Sequence, residues 1–138
     1  MIRDVLLPAL QLRFPNRGFR TEDAGNAIGV FPASHREVGD LTIFDDGDEA
    51  TLFIGQITHL HIDSDAEDTE PDTCITNDVV EFLDKLFSDG ILIWKSRTTG
   101  ADGAMPIESG SLFSGIDAND LTYVWSGPIR NPKRETAG

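Results

Sequence analysis

The chain has 138 residues, a length that fits one domain, and 39% of them are hydrophobic, which is enough for one core. It carries 24 acidic and 11 basic side chains, giving a formal net charge of −13 at pH 7. This balance argues against non-specific binding to nucleic acid or to an anionic membrane surface, because both depend on Lys and Arg.

Cys74 is the single cysteine, so an intramolecular disulfide and a disulfide-stapled secreted scaffold are excluded. The apolar run at the N-terminus is interrupted by Asp4 and Pro8 and lacks the composition of a signal peptide. No stretch approaches the roughly 20 apolar residues that a membrane span needs. We therefore expect a cytoplasmic protein in which Cys74 is a small buried residue that precedes a helix.

The first predicted element is a helix over residues 4–13, with Asp4 as its N-cap and Pro8 in or just past the first turn. A short strand over 28–31 follows and ends at Pro32. The clearest local signal is a hairpin with strands over 41–44 and 49–54. Its Asp46-Gly47 pair favours a type I′ turn. Gly55 then predicts a bend or a bulge.

Residues 57–63 alternate as a strand does. Thr58, Leu60 and Ile62 share one face, and the other face holds His59, His61 and Asp63. A charged loop over 64–73 follows. The best-defined helix covers 76–88, where one apolar stripe is formed by Val79, Val80, Leu83, Leu86 and Phe87. Gly90 stands where we expect the C′ position of this helix.

Beyond this helix we predict a strand over 91–95, a long loop over 98–111 and a last strand over 121–125. The polar segment 129–138 is expected to be a disordered tail, which leaves one domain over 1–128. The pattern predicts an α+β fold. We expect a mainly antiparallel sheet of five or six strands, with helix 76–88 packed on one face and a short N-terminal helix.

The charge is concentrated in the middle of the chain. From Glu37 to Asp89 there are sixteen acidic residues and one basic residue, a net charge of −15. Such a segment favours a basic protein partner, as in inhibitors and toxin-immunity proteins, although the charge also serves solubility alone. The residues predicted to bind this partner lie in the hairpin turn and the charged loop: Asp45, Asp46, Asp48, Glu49, Asp65, Glu67 and Asp68.

A second hypothesis is a metal site at His59, His61 and Asp63. Side chains at positions i, i+2 and i+4 of a strand project from one face, and zinc or another first-row metal accepts such nitrogen and oxygen ligands. A fourth ligand is expected from Asp65 or Glu67 rather than from His35. The alternative explanation is a strand that shows its polar face to water.

The sequence favours the non-enzymatic interpretation. It contains no nucleophile elbow and neither of the glycine-rich phosphate-binding motifs, so no catalytic residues are predicted. No cofactor is expected apart from the candidate zinc or other divalent metal, and a metal-dependent hydrolase stays the alternative. An open sheet face around His59, continuous with the acidic turn, would favour binding. A pocket with converging carboxylates would favour an enzyme.

Overall fold

The computed structural model describes residues 1–65, 67, 69–107, 116–117 and 119–130. In these ranges the chain forms two helices and nine strands in antiparallel sheets, which confirms the predicted α+β class. The elements are α1 (Ile2–Arg13), β1 (Arg20–Thr21), β2 (Ala27–Phe31), β3 (Leu41–Asp45), β4 (Glu49–Ile54), β5 (Thr58–Asp63), α2 (Pro71–Phe87), β6 (Ile91–Lys95), β7 (Asp102–Pro106), β8 (Leu121–Val124) and β9 (Gly127–Pro128).

The strands divide between two sheets, where the sequence indicated one. In the first sheet, β1 to β5 lie side by side in chain order, so every strand pairs with its neighbour in sequence. The second sheet has the order β7-β6-β8-β9. Helix α2 follows the last strand of the first sheet and precedes the first strand of the second, so it separates the two sets along the chain.

The two helices run parallel to each other over one face of the first sheet. The Met1 amino group lies 3.2 Å from Asp72 at the start of α2, and Arg13 lies 2.8 Å from Asp84 near its end. Helix α1 begins two residues earlier than predicted, and Asp4 is not its N-cap. Pro8 therefore lies in the second turn, where it is exposed and cannot donate a hydrogen bond to the Asp4 carbonyl.

Helix α2 begins at Pro71, five residues before the predicted start. Proline suits the first helical position because its missing N–H has no partner there in any case. Cys74 is consequently inside the helix and half-buried, which corrects the prediction that it precedes the helix as a buried residue. The predicted apolar stripe is confirmed, since Val79, Leu83 and Leu86 are fully buried.

The end of α2 is a Schellman motif built around Asp89. The Gly90 N–H donates to the Lys85 carbonyl and the Asp89 N–H donates to the Leu86 carbonyl. Asp89 holds the left-handed C′ position, with a φ of 62°, so Gly90 lies one residue beyond the place predicted for it. The Asp89 carboxylate accepts hydrogen bonds from the backbone N–H and the hydroxyl of Ser126. These bonds connect the end of α2 to the second sheet.

Part of the predicted loop 98–111 is a strand. Every residue of β7 is paired with β6, from Ile91 opposite Pro106 to Lys95 opposite Asp102. Proline is tolerated here because β7 is an edge strand. Residues 108–111 lie outside the described ranges, as do 131–138 of the predicted tail. Ile129 exchanges two hydrogen bonds with Thr122, which extends the paired chain past residue 128.

The hairpin between β3 and β4 is confirmed, but its turn is not type I′. That turn needs a positive φ at both central residues. The central residues between Asp46 and Glu49 are Gly47 and Asp48. Gly47 has a φ of +91°, but Asp48 does not have a positive φ, because Asp89 is the one non-glycine residue in the described chain that does. The strands close with the Asp46 N–H donating to the Glu49 carbonyl at 2.9 Å.

One apolar cluster joins both helices to both sheets. Phe87 of α2 marks the junction, because its ring lies 5.0 Å from Phe31 of the first sheet and 5.3 Å from Trp125, which follows β8. Within the described ranges, neither helix combines the length and the apolar character needed to cross a membrane.

Candidate functional site on the first sheet

Strand alternation gives the first sheet one covered face and one open face. Inward-pointing residues of β3 and β4, such as Ile43, Leu52 and Ile54, are fully buried in the cluster that includes the helices. The opposite side chains carry the predicted His59 face. We define the open face by its outward residues on three strands: Phe44, Glu49, Thr51, Phe53, His59, His61 and Asp63.

A line of rings crosses the open face. Phe53 stacks on His59, its cross-strand neighbour, with ring centroids 5.1 Å apart. Phe44 meets the other side of Phe53 edge-on at 5.5 Å, and His61 meets His59 edge-on at 5.2 Å. Phe53 is 40% exposed, so the line presents an apolar surface to solvent.

A polar cluster lies beside this line, at the hairpin end of the sheet. It consists of His61, Glu49 and Asp46, whose ligand atoms lie within 4.8 Å of one another, together with Thr51; we call it the His61 cluster. His61 Nδ1 is 3.3 Å from Glu49 Oε1 and 3.0 Å from Thr51 Oγ1. The Thr51 hydroxyl donates to Asp46 Oδ2.

The structure brings together a different set of residues from the predicted metal site. His59, His61 and Asp63 do share one face of β5, as the alternation predicted. The one group of potential metal ligands that converges within the described ranges, however, combines His61 with Asp46 and Glu49. His59 instead stacks on Phe53, and Asp63 lies opposite Glu49 across the strand pair.

The residues predicted to bind a partner differ in exposure, because one of them is buried and the others that the structure describes reach the surface. Asp45 is only 8% exposed, and its carboxylate accepts the backbone N–H groups of Arg3 and Gly47 at 3.0 and 2.9 Å. It thereby provides the N-terminal bond of α1 that Asp4 was predicted to make, and it has a structural role. The exposed residues of the predicted set are Asp46, Asp48, Asp65 and Glu67, with Glu49 half-buried, and Asp68 lies outside the described residues.

Two hollows adjoin the connection between β4 and β5. One, of about 290 Å³, is lined by Phe53, His59 and Asp102 among others. The larger, an open groove of about 600 Å³, runs between the sheets past Glu37, Lys95 and Tyr123. Burial and the negative charge of Glu37 raise the pKa of the Tyr123 phenol, so this hydroxyl stays protonated at neutral pH. The His61 cluster lines neither hollow and faces open solvent instead.

No family model, curated protein or solved structure matches the chain. The function is therefore inferred from the geometry and the charge of the open face.

Proposed function

We propose that this protein is a non-enzymatic, acidic interaction domain of the cytoplasm that binds a protein surface rich in arginine and lysine. One observation carries the proposal: the exposed Phe53–His59 stack lies on the same open face as a group of exposed carboxylates. An apolar aromatic centre beside charged groups at its margin is the usual anatomy of a protein interface.

The carboxylates of this face gather at one end of the sheet. Glu49 lies opposite Asp63, and Asp46 and Asp48 belong to the turn that precedes Glu49. Their combined field attracts cations and accelerates the encounter with a basic partner. Arginine fits both parts of the surface, because its guanidinium pairs with carboxylates and also stacks on aromatic rings.

The hydrolase alternative, centred on His59, His61 and Asp63, has weaker support. The His61 cluster is half-exposed on a sheet face, with His61 49% and Glu49 33% exposed. His59 lines the smaller of the two hollows together with Asp102, but His61 and Asp63 line neither of them. An enzyme needs a concave site that excludes water from its substrate, and this face supplies an open surface.

The proposal is tested by neutralising Asp63 of the open face and Asp48 of the adjoining turn, with Asp63→Asn and Asp48→Asn together. The matched control, Asp78→Asn with Glu81→Gln, removes the same charge from the exposed side of α2. The probe is a labelled peptide of alternating arginine and alanine, and the measurement is its stopped-flow association rate at several salt concentrations. We expect the first pair to slow association about threefold to tenfold at low salt and to flatten the salt dependence.

The control pair is expected to slow association less than about twofold, since its charges lie away from the open face. Equal slowing by both pairs would contradict the proposal, because the peptide would then respond to the net charge of the chain and to no particular surface.

A further inference from the structure

The structure assigns a second property to the open face, one that needs no partner. We propose that His61, Glu49 and Asp46 bind a first-row divalent metal ion, with zinc as the best match. These residues come from β5, from the start of β4 and from the preceding turn, so only the folded hairpin and its pairing with β5 bring them together. The inference goes beyond the proposed function and is independent of it.

The distances fit a zinc ion. Zinc holds nitrogen and oxygen ligands at about 2.0–2.1 Å in a tetrahedron, which places neighbouring ligand atoms about 3.3 Å apart. His61 Nδ1 and Glu49 Oε1 are separated by 3.3 Å. The Asp46 oxygen lies within 4.8 Å of the other two ligand atoms, so it reaches tetrahedral spacing when its carboxylate turns toward the ion.

Neighbouring groups orient these side chains. The Asn26 amide donates to Asp46 Oδ1 at 2.6 Å, while the Thr51 hydroxyl donates to Asp46 Oδ2 and lies 3.0 Å from His61 Nδ1. Thr51 itself is buried, and its hydroxyl lies between the side chains of Asp46 and His61. Hydrogen bonds of this kind hold the Asp46 carboxylate in position, which raises metal affinity. At His61 the Thr51 contact is made to Nδ1 itself, so an ion bound at Nδ1 replaces that contact.

The chemistry of the set selects the ion. One imidazole and two carboxylates suit zinc and its neighbours, whereas calcium requires six to eight oxygen ligands. The two carboxylates also balance the double positive charge of the ion. At Nδ1 the metal takes the place of the proton that faces Glu49 and Thr51, and that proton leaves to solvent. Water occupies the remaining coordination position on the exposed side.

The test is calorimetric titration of Zn²⁺ into the chelator-treated full chain and its variants. We expect one zinc ion per chain, and we expect His61→Gln and Glu49→Gln each to weaken binding at least about tenfold. His59→Gln and Asp48→Asn are matched controls, since they remove an imidazole and a carboxylate from the same surface outside the cluster. Both controls are expected to keep the wild-type affinity within about twofold. Circular dichroism checks that every variant is folded.

Three results would overturn this assignment: no zinc binding by the wild type, equal weakening by His59→Gln and His61→Gln, or full affinity in Glu49→Gln. The second would move the site back to the histidine pair of β5. With a chelator added to the peptide experiment, no zinc is bound there, so a failure of the proposed function and a failure of the zinc site are distinguished from each other.

Discussion

The Gly55→Ala variant is expected to lower the free energy of unfolding by about 3 kcal/mol. Gly55 has a φ of +53°, which costs a residue with a Cβ about 1–2 kcal/mol. Its backbone also crosses the segment before β3, so a methyl group would overlap the Val38 carbonyl oxygen and lie 3.2 Å from the Gly39 Cα. Relieving that overlap requires a backbone shift, which adds about 1–3 kcal/mol.

Gly25→Ala is the matched control for this experiment. Gly25 has a similar φ of +61°, but a methyl group there meets nothing within 4 Å. Urea unfolding of both variants separates the conformational cost, which they share, from the steric cost at Gly55 alone. We expect the control to lose about 1 kcal/mol. Equal losses in the two variants would contradict a tight crossing between Gly39 and Gly55.

Phe31→Ala is expected to cost about 3–5 kcal/mol, the range for removing a large buried ring. Phe31 is 1% exposed, and its ring lies 4.7 Å from Phe19, 5.0 Å from Phe87 and 5.8 Å from Phe14. Phe87 belongs to α2, whereas Phe14 and Phe19 follow α1, so no single element can move in to fill the space. The cavity therefore affects the whole core.

Phe53→Ala provides the comparison, because it removes the same atoms from a ring that is 40% exposed. We expect this variant to lose less than about 1 kcal/mol, which is typical of surface substitutions. Chemical denaturation of the two variants measures both values. A small loss in Phe31→Ala, or a loss in Phe53→Ala of similar size, would show that the core has been placed on the wrong side of the sheet.

Segments with a regular apolar period were predicted well from the sequence. Strand β3 alternates between buried and half-buried residues, and the stripe of α2 recurs at helical spacing, so burial determines the faces of both elements. The same alternation correctly placed His59 and His61 on the exposed side of β5. These predictions depend only on residues within one element.

The predictions were wrong where contacts between residues far apart in the sequence determine the local structure. The first turn of α2 contains no large apolar residue before Ile75, so its helical state depends on Pro71 and on the neighbouring helix. Strand β7 has a weak strand composition and exists because it pairs with β6. Asp89 adopts the left-handed backbone conformation at the C′ position, where the sequence predicted Gly90. Hydrogen bonds with Ser126, which is distant in sequence, accompany this conformation.

The candidate site illustrates the same limit at single residues. Asp45 and Asp46 are neighbours in sequence, but alternation sends Asp45 into the interior beneath α1 and Asp46 to the open side. The His61 cluster depends on the register that sets Thr51 opposite His61. That register is fixed by the connection around Gly55, whose geometry the sequence indicated only as a bend or bulge.

The most direct test of the proposed function is a residue-resolved NMR titration of the full chain with the Arg-Ala peptide. We expect the largest amide shifts in β4, β5 and the turn between β3 and β4. Phe53→Ser is expected to weaken binding about fivefold or more, because an exposed aromatic anchor is lost, while Leu12→Ser, at an 85% exposed position on α1, leaves it unchanged. Shifts spread evenly over the acidic residues of α2, with no effect of Phe53→Ser, would contradict the proposal.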